Sequence, residues 1–164
     1  MGTDATFWDF SLHFYAQPGV AAACLRCQDE AAADVNLLLF ALWHAASGTC
    51  LHQDEISAAD VAVAPWRDHV IKPLRSLRRA LKSPPLATLE PTGGFRKQVQ
   101  ALELECEHVE QPLLARSLPP RPGNAASRET ARANLGAYAA ASGITLPEDA
   151  VATLLAAFAQ PTVS

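Results

Sequence analysis

The stretch DVNLLLFALWHAASG, residues 34–48, decides the fold. Its apolar residues run almost unbroken from Val35 to Trp43 and leave no polar face at helical spacing. Asp34 is a good N-cap, because its side chain accepts from the open amides of a first turn, and Gly48 suits the position just past a helix end. The spacing predicts a helix of about four turns. A surface helix keeps a polar side, whereas one that is apolar all round must be enclosed by other helices or by lipid. Roughly 10 to 14 residues falls short of the ~20 needed to cross a bilayer. The stretch therefore reads as the buried central helix of a small bundle.

The rest of the chain agrees. Its 164 residues suit one domain, 49% of them are hydrophobic and 18% charged, and that balance favours a globule over disorder. Alanine is abundant and no alternating run suggests a strand, so the expected class is all-α. The expected architecture is a single-domain bundle of about seven or eight helices. The N-terminal MGTDATFWDF lacks the basic and apolar regions of a signal peptide, which predicts a cytoplasmic protein, not held in a membrane, with its four cysteines reduced. A formal net charge of −4 argues against indiscriminate nucleic-acid binding by the whole domain but leaves room for a local basic face.

Working outward, Thr6 and Asp9 predict a first helix over residues 7–16, rich in aromatics and so buried on two sides. Gln17-Pro18-Gly19 turns the chain into a second helix whose Val20, Cys24, Cys27 and Ala31 form one stripe. After the central helix, residues 55–82 are divided by Pro65, read as opening a new helix, and by Pro73, read as a kink or as a position whose lost hydrogen bond is tolerated. Val63, Trp66, Val70, Leu74, Leu77 and Leu81 mark the expected apolar stripe of that segment. A long helix over residues 95–116 shows a heptad-like seam of Phe95, Val99, Leu102, Cys106, Val109 and Leu113, and the two pack as an antiparallel hairpin. Residues 1–118 thus form the main bundle, 119–126 a proline-rich linker, and 127–164 a C-terminal helical hairpin packed on it, short enough to be detachable.

Several patterns invite chemistry. Cys24-Leu25-Arg26-Cys27 has the spacing of half a zinc site or a redox pair, but it lies on the predicted buried stripe and no second compact pair matches it. Glu105 and His108 supply one Glu-x-x-His where di-iron bundles use two, and Glu103, Glu105 and Glu110 are expected to flank the seam as solvated charges. No metal and no cofactor is expected. Thr92-Gly93-Gly94 before Arg96 and Lys97 reads as an ordinary helix entrance rather than a nucleotide loop. The basic set Arg67, Lys72, Arg75, Arg78, Arg79 and Lys82 faces one acid, Asp68, a local balance of +5. Continuing the heptad from Val63 puts Lys72, Arg75, Arg78, Arg79 and Lys82 outside, as a face for an anion, an acidic protein or RNA. On the central helix Asn36 and His44 share a side, and with Trp66 they are the candidates for lining a pocket, although the favoured reading of such a polar pair is that each satisfies a neighbouring backbone group.

The runs Tyr15-Ala16-Gln17-Pro18-Gly19-Val20-Ala21, Asp34-Val35-Asn36-Leu37-Leu38-Leu39-Phe40 with Leu42-Trp43, Val63-Ala64-Pro65-Trp66-Arg67 and Lys72-Pro73-Leu74-Arg75-Ser76-Leu77-Arg78 carry a resemblance. With Ala101-Leu102-Glu103-Leu104-Glu105, they resemble a family of small proteobacterial proteins catalogued as a domain of unknown function, over about residues 7–116. The resemblance implies a stand-alone helical cytoplasmic protein and singles out Asn36, Trp66, Arg67 and Arg75. It also implies an apolar residue where Cys27 stands, which makes the C-x-x-C incidental. No catalytic motif occurs, so the sequence favours a non-enzymatic binding or regulatory module using the basic face. Its alternatives are a small-ligand or metal-binding enzyme with a pocket on the central helix, and a structural subunit of an oligomer that hides the aromatic first helix.

Overall fold

The computed structural model describes residues 6–89, 92–121 and 123–158. Within them lie α1 (Phe7–Tyr15), α2 (Val20–Ala31), α3 (Val35–Ala46), α4 (Gln53–Trp66), α5 (Lys72–Ala80), α6 (Thr92–Ser117), α7 (Arg128–Ser142) and α8 (Glu148–Phe158). A π turn, Arg67–Ile71, joins α4 to α5 in one unbroken helical run. The described residues contain no strand, and the chain is a single all-α domain.

The central helix is α3. Every residue from Leu37 to Ala45 is buried, and α1, α2, α4, α6 and α7 all pack against it. Asp34 caps it, its Oδ1 accepting from the amides of Asn36 and Leu37 at 2.9 and 3.2 Å. At the other end Gly48 takes φ +74°, and a Cβ there would run into the backbone of Asn124. Glycine thus ends the helix and admits the later loop.

Helix α1 opens with the Thr6–Asp9 capping box, and its Phe7 and Phe14 are covered by the chain's own core, Phe7 stacking on Trp43 at 5.2 Å. Val20, Cys24 and Cys27 form the buried stripe of α2. The described part of the C-terminal hairpin packs into the same core through Ala131, Leu135, Tyr138, Leu154 and Leu155. Asn134 Nδ2 donates to the carbonyls of Ala41 and Thr49 while its Oδ1 accepts from the Leu51 amide. The linker before it is pinned where Thr49 Oγ1 donates to the Arg121 carbonyl at 2.7 Å.

One sequence expectation fails, and another resolves to one of its alternatives. Pro65 does not open a helix: α4 starts at Gln53, with the Glu55 carboxylate accepting the His52 amide at 2.9 Å, and carries Pro65 in its last turn. Pro73 takes a position where its lost hydrogen bond is tolerated. It has no N–H to give and its ring crowds the preceding turn, and just before it the helix widens so that the Lys72 amide reaches the Arg67 carbonyl. A π turn takes up one extra residue, which rotates everything after it by about 100° around the axis. Ile71, Arg75 and Arg78 therefore succeed Ile56, Ala59 and Val63 on the inner side, while Leu77 of the expected stripe is exposed.

The buried face of α6 keeps Val99 and Cys106 of the expected seam, and Leu113 in part, but not Phe95, Leu102 or Val109. Leu102 and Val109 are each 47% exposed, and Val99, Glu103, Cys106, Glu110, Gln111 and Leu114 face inward. An arginine-bearing face on α5 demands acids opposite, and α6 supplies them. The α5 and α6 helices run antiparallel, since Arg75 reaches Glu107 and the later Arg78 reaches the earlier Glu103.

Candidate functional site

Between α1, α2, α3, the π turn, α5 and α6 lies a cleft of about 830 Å³. Trp8, Leu12, Val35, Leu39 and Leu104 give it apolar walls, and α5 and α6 give it a ladder of charge. On that ladder Glu103 accepts from Arg75 Nε at 3.1 Å and from Arg78, and Glu107 accepts from Arg75 Nη2 at 2.9 Å. Arg67 Nη1 donates to Asp34 Oδ2 at 3.2 Å and also to Asp60. At the rim the Trp8 and His108 rings stack with centroids 3.7 Å apart.

The inner end of the cleft is polar and closed. Asn36 Nδ2 donates to Glu110 Oε2 at 2.6 Å, and Gln111 Nε2 donates to Asn36 Oδ1 at 3.1 Å. Glu110 is 1% exposed and Gln111 3%, yet Oε1 of each has no hydrogen-bond partner. Burial first, and then the charge of Asp34, push the Glu110 acid up to about 7, against the pull of Asn36 and Arg67. Burial also raises Glu107, although Arg75 opposes it. At Glu103 burial acts in the same direction, but Arg78 and Arg75 together outweigh it and hold the acid below its ordinary value.

The proposed basic face divides. Arg67, Arg75 and Arg78 turn inward and are committed to carboxylates, which corrects the expectation that Arg75 and Arg78 face outward. Lys72 pairs with Asp68 at 2.7 Å, Arg79 is exposed, and Lys82 lines the cleft. The pocket candidates divide too. Asn36 lines the cleft. His44 is fully buried away from it, Nε2 donating to the Leu118 carbonyl at 3.1 Å, and burial pushes its ring down to about 4. Trp66 gives its Nε1–H to the Cys106 carbonyl at 2.9 Å, a structural anchor between α4 and α6. Glu103, Glu107, Glu110 and Gln111 belong to the site, although the heptad pattern assigned the acids to solvent. The signal that would have found them is charge matching: basic positions along one helix and acidic ones along its neighbour, both at steps of three and four.

The metal motifs do not assemble. Cys24 and Cys27 are buried free thiols, Cys24 pushed up to about 12 by burial, and His108 is engaged with Trp8. Among the described residues, no three His, Cys, Asp or Glu side chains converge as a metal-holding group. Nor is any described helix long and apolar enough to cross a membrane.

The residues that build this cleft run from Trp8 to Gln111, and residues 6–114 match the family described as "Protein of unknown function (DUF2390)". The chain belongs to DUF2390. The match to DUF2390 takes in the whole cleft and stops before the linker and the C-terminal pair α7–α8. No curated protein and no solved structure gave a match.

Proposed function

We propose that this DUF2390 protein is a binding or regulatory module whose cleft receives a small amphipathic molecule. The observation that carries the reading is the cleft itself, about 830 Å³, in which apolar side chains stand beside a ladder of charge that is ordered by its own hydrogen bonds. Opposite lies apolar surface from Leu12, Leu39 and Leu104, which rewards a hydrocarbon or aromatic body. The arginines serve the site as rigid walls, since their hydrogen bonds to Glu103, Glu107 and Asp34 fix them before any ligand arrives. We take its setting to be the cytoplasm, in keeping with four free thiols.

A thermal-shift screen of amphipathic small molecules tests this. Binders should raise Tm by several degrees, and Leu104→Trp, which fills the exposed lip of the cleft, should abolish the rise. A library that leaves Tm unmoved, or binders indifferent to Leu104→Trp, would overturn the reading.

A further inference from the structure

We infer that the cleft takes an amphipathic anion, its negative head held by Lys82 and Lys97 at one end of the α5–α6 ladder and its apolar body laid inward along Leu104, Leu12 and Leu39. The inference rests on the cleft being a ligand site and names the class of ligand.

The register of the two helices carries it. The cleft-lining residues of α6 advance about one turn at a time, from Lys97 through Gln100 and Leu104 to Glu107 and Gln111. Those across from them run the opposite way, from Arg67 in the π turn through Arg75 and Arg78 to Lys82 just past α5. The helices are antiparallel and Arg78 reaches Glu103, so carrying that register one turn further brings Lys82 and Lys97 to the same end of the cleft.

Charge is sorted along this line. The cleft is lined by five cations, Arg67, Arg75, Arg78, Lys82 and Lys97, and four acids, Asp34, Glu103, Glu107 and Glu110. Asp34 is bonded to Arg67, Glu107 to Arg75, Glu103 to Arg75 and Arg78, and Glu110 to Asn36. Neither lysine forms an ion pair with any described residue, and both are exposed. The surplus of positive charge therefore falls at their end. The chain around them is basic too, since residues 78–103 hold five cations, Arg78, Arg79, Lys82, Arg96 and Lys97, against two acids, Glu90 and Glu103. An ammonium offers three N–H donors and no acceptor, so two of them at one end favour a carboxylate or phosphate head, repel an amine and gain less from a hydroxyl.

The apolar half of the ligand follows from Leu12, Tyr15, Leu25 and Leu104. These large side chains stay exposed, they come from α1, α2 and α6, and all four line this one cleft. A hydrocarbon body leading inward from the lysines takes that surface out of water, which a bare inorganic anion would not.

The test compares four probes, octanoate, octylamine, 1-octanol and acetate, each titrated below its micellar concentration into the isotopically labelled full chain at neutral pH. Octanoate should bind about tenfold or more tightly than each of the others, weaken as salt is raised, and shift amides near Leu39 and Leu104 as well as near Lys97. Lys82→Gln combined with Lys97→Gln, two exposed positions outside the core, should cost octanoate about tenfold and leave octanol within about twofold. Octylamine or octanol binding as tightly as octanoate, or octanoate indifferent to the double variant, would overturn the anionic assignment while leaving the cleft as a ligand site. Acetate binding as tightly as octanoate, or four probes that leave the cleft amides unmoved, would overturn both.

Discussion

Two interfaces in this molecule bury polar groups, and they do so in opposite ways. Where α7 meets α3, a single amide, Asn134, sits in a hydrocarbon surround and meets all of its obligations, with two donors and one acceptor engaged at 2.8 to 3.0 Å. Where α5 meets α6, charge replaces hydrocarbon, and the network ends in two buried acceptors with nothing to accept. The first interface is finished and therefore structural. The second leaves acceptors unpartnered on two residues that line the cleft.

The comparison breaks most visibly at Asn134. Asn134→Ala orphans the Leu51 amide and two carbonyls inside the core, and denaturant unfolding should register a loss of about 3 kcal/mol or more. On the other interface, Glu103→Ala strands Arg78 and leaves Arg75 with Glu107 alone, both arginines being only partly shielded from water, and about 2 kcal/mol is the expected loss by the same measurement. Arg79→Ala, on the exposed side of the same helix, should stay within about 0.5 kcal/mol, which separates the inward arginines from the outward one.

Two buried titratable groups sharpen the contrast through pH. Burial lowers His44 from 6.5 to about 4, so the fold prefers its neutral ring and loses stability as pH falls from about 6.5 toward 4. Glu110 is raised from 4.5 to about 7, so the fold prefers its neutral acid and loses stability as pH rises from about 4.5 toward 7. The two slopes oppose each other in one window and flatten the pH profile of the parent protein. His44→Gln should unmask the decline on the alkaline side, and Glu110→Gln the decline on the acid side, in unfolding curves taken from pH 4 to 7.5. The smallest effect is on the thiols. Cys24, Cys27 and Cys106 are buried while Cys50 is exposed, so timed alkylation followed by mass spectrometry should label one cysteine quickly and three slowly, with stability unchanged after the first.

Local chemistry wrote much of this fold into the chain. The capping box of α1, the cap at Asp34, the girth of α3 and the buried Val20–Cys24–Cys27 stripe were legible because each depends on residues a few positions apart. The His44 reading as a ring satisfying a neighbouring carbonyl was also within reach, as a polar side chain on an all-apolar helix must find a bond nearby. The cleft was not. Asn36 drew notice, but its partners Glu110 and Gln111 are more than seventy residues away.

The sequence by itself determined the class, the central helix and most of the other helices, since capping and the 3.6-residue period act over a turn or two. Tertiary structure alone decided which way α5 and α6 face. One extra residue taken up at the π turn rotates Arg75 and Arg78 from solvent onto α6, and a periodicity carried through from Val63 cannot register that step. From the rotation follow the burial of Glu103 beside those arginines and a charged wall in place of an apolar seam. That wall ends in the unpartnered acceptors of Glu110 and Gln111, because the pairing of charges across a cavity is settled in space rather than along the chain.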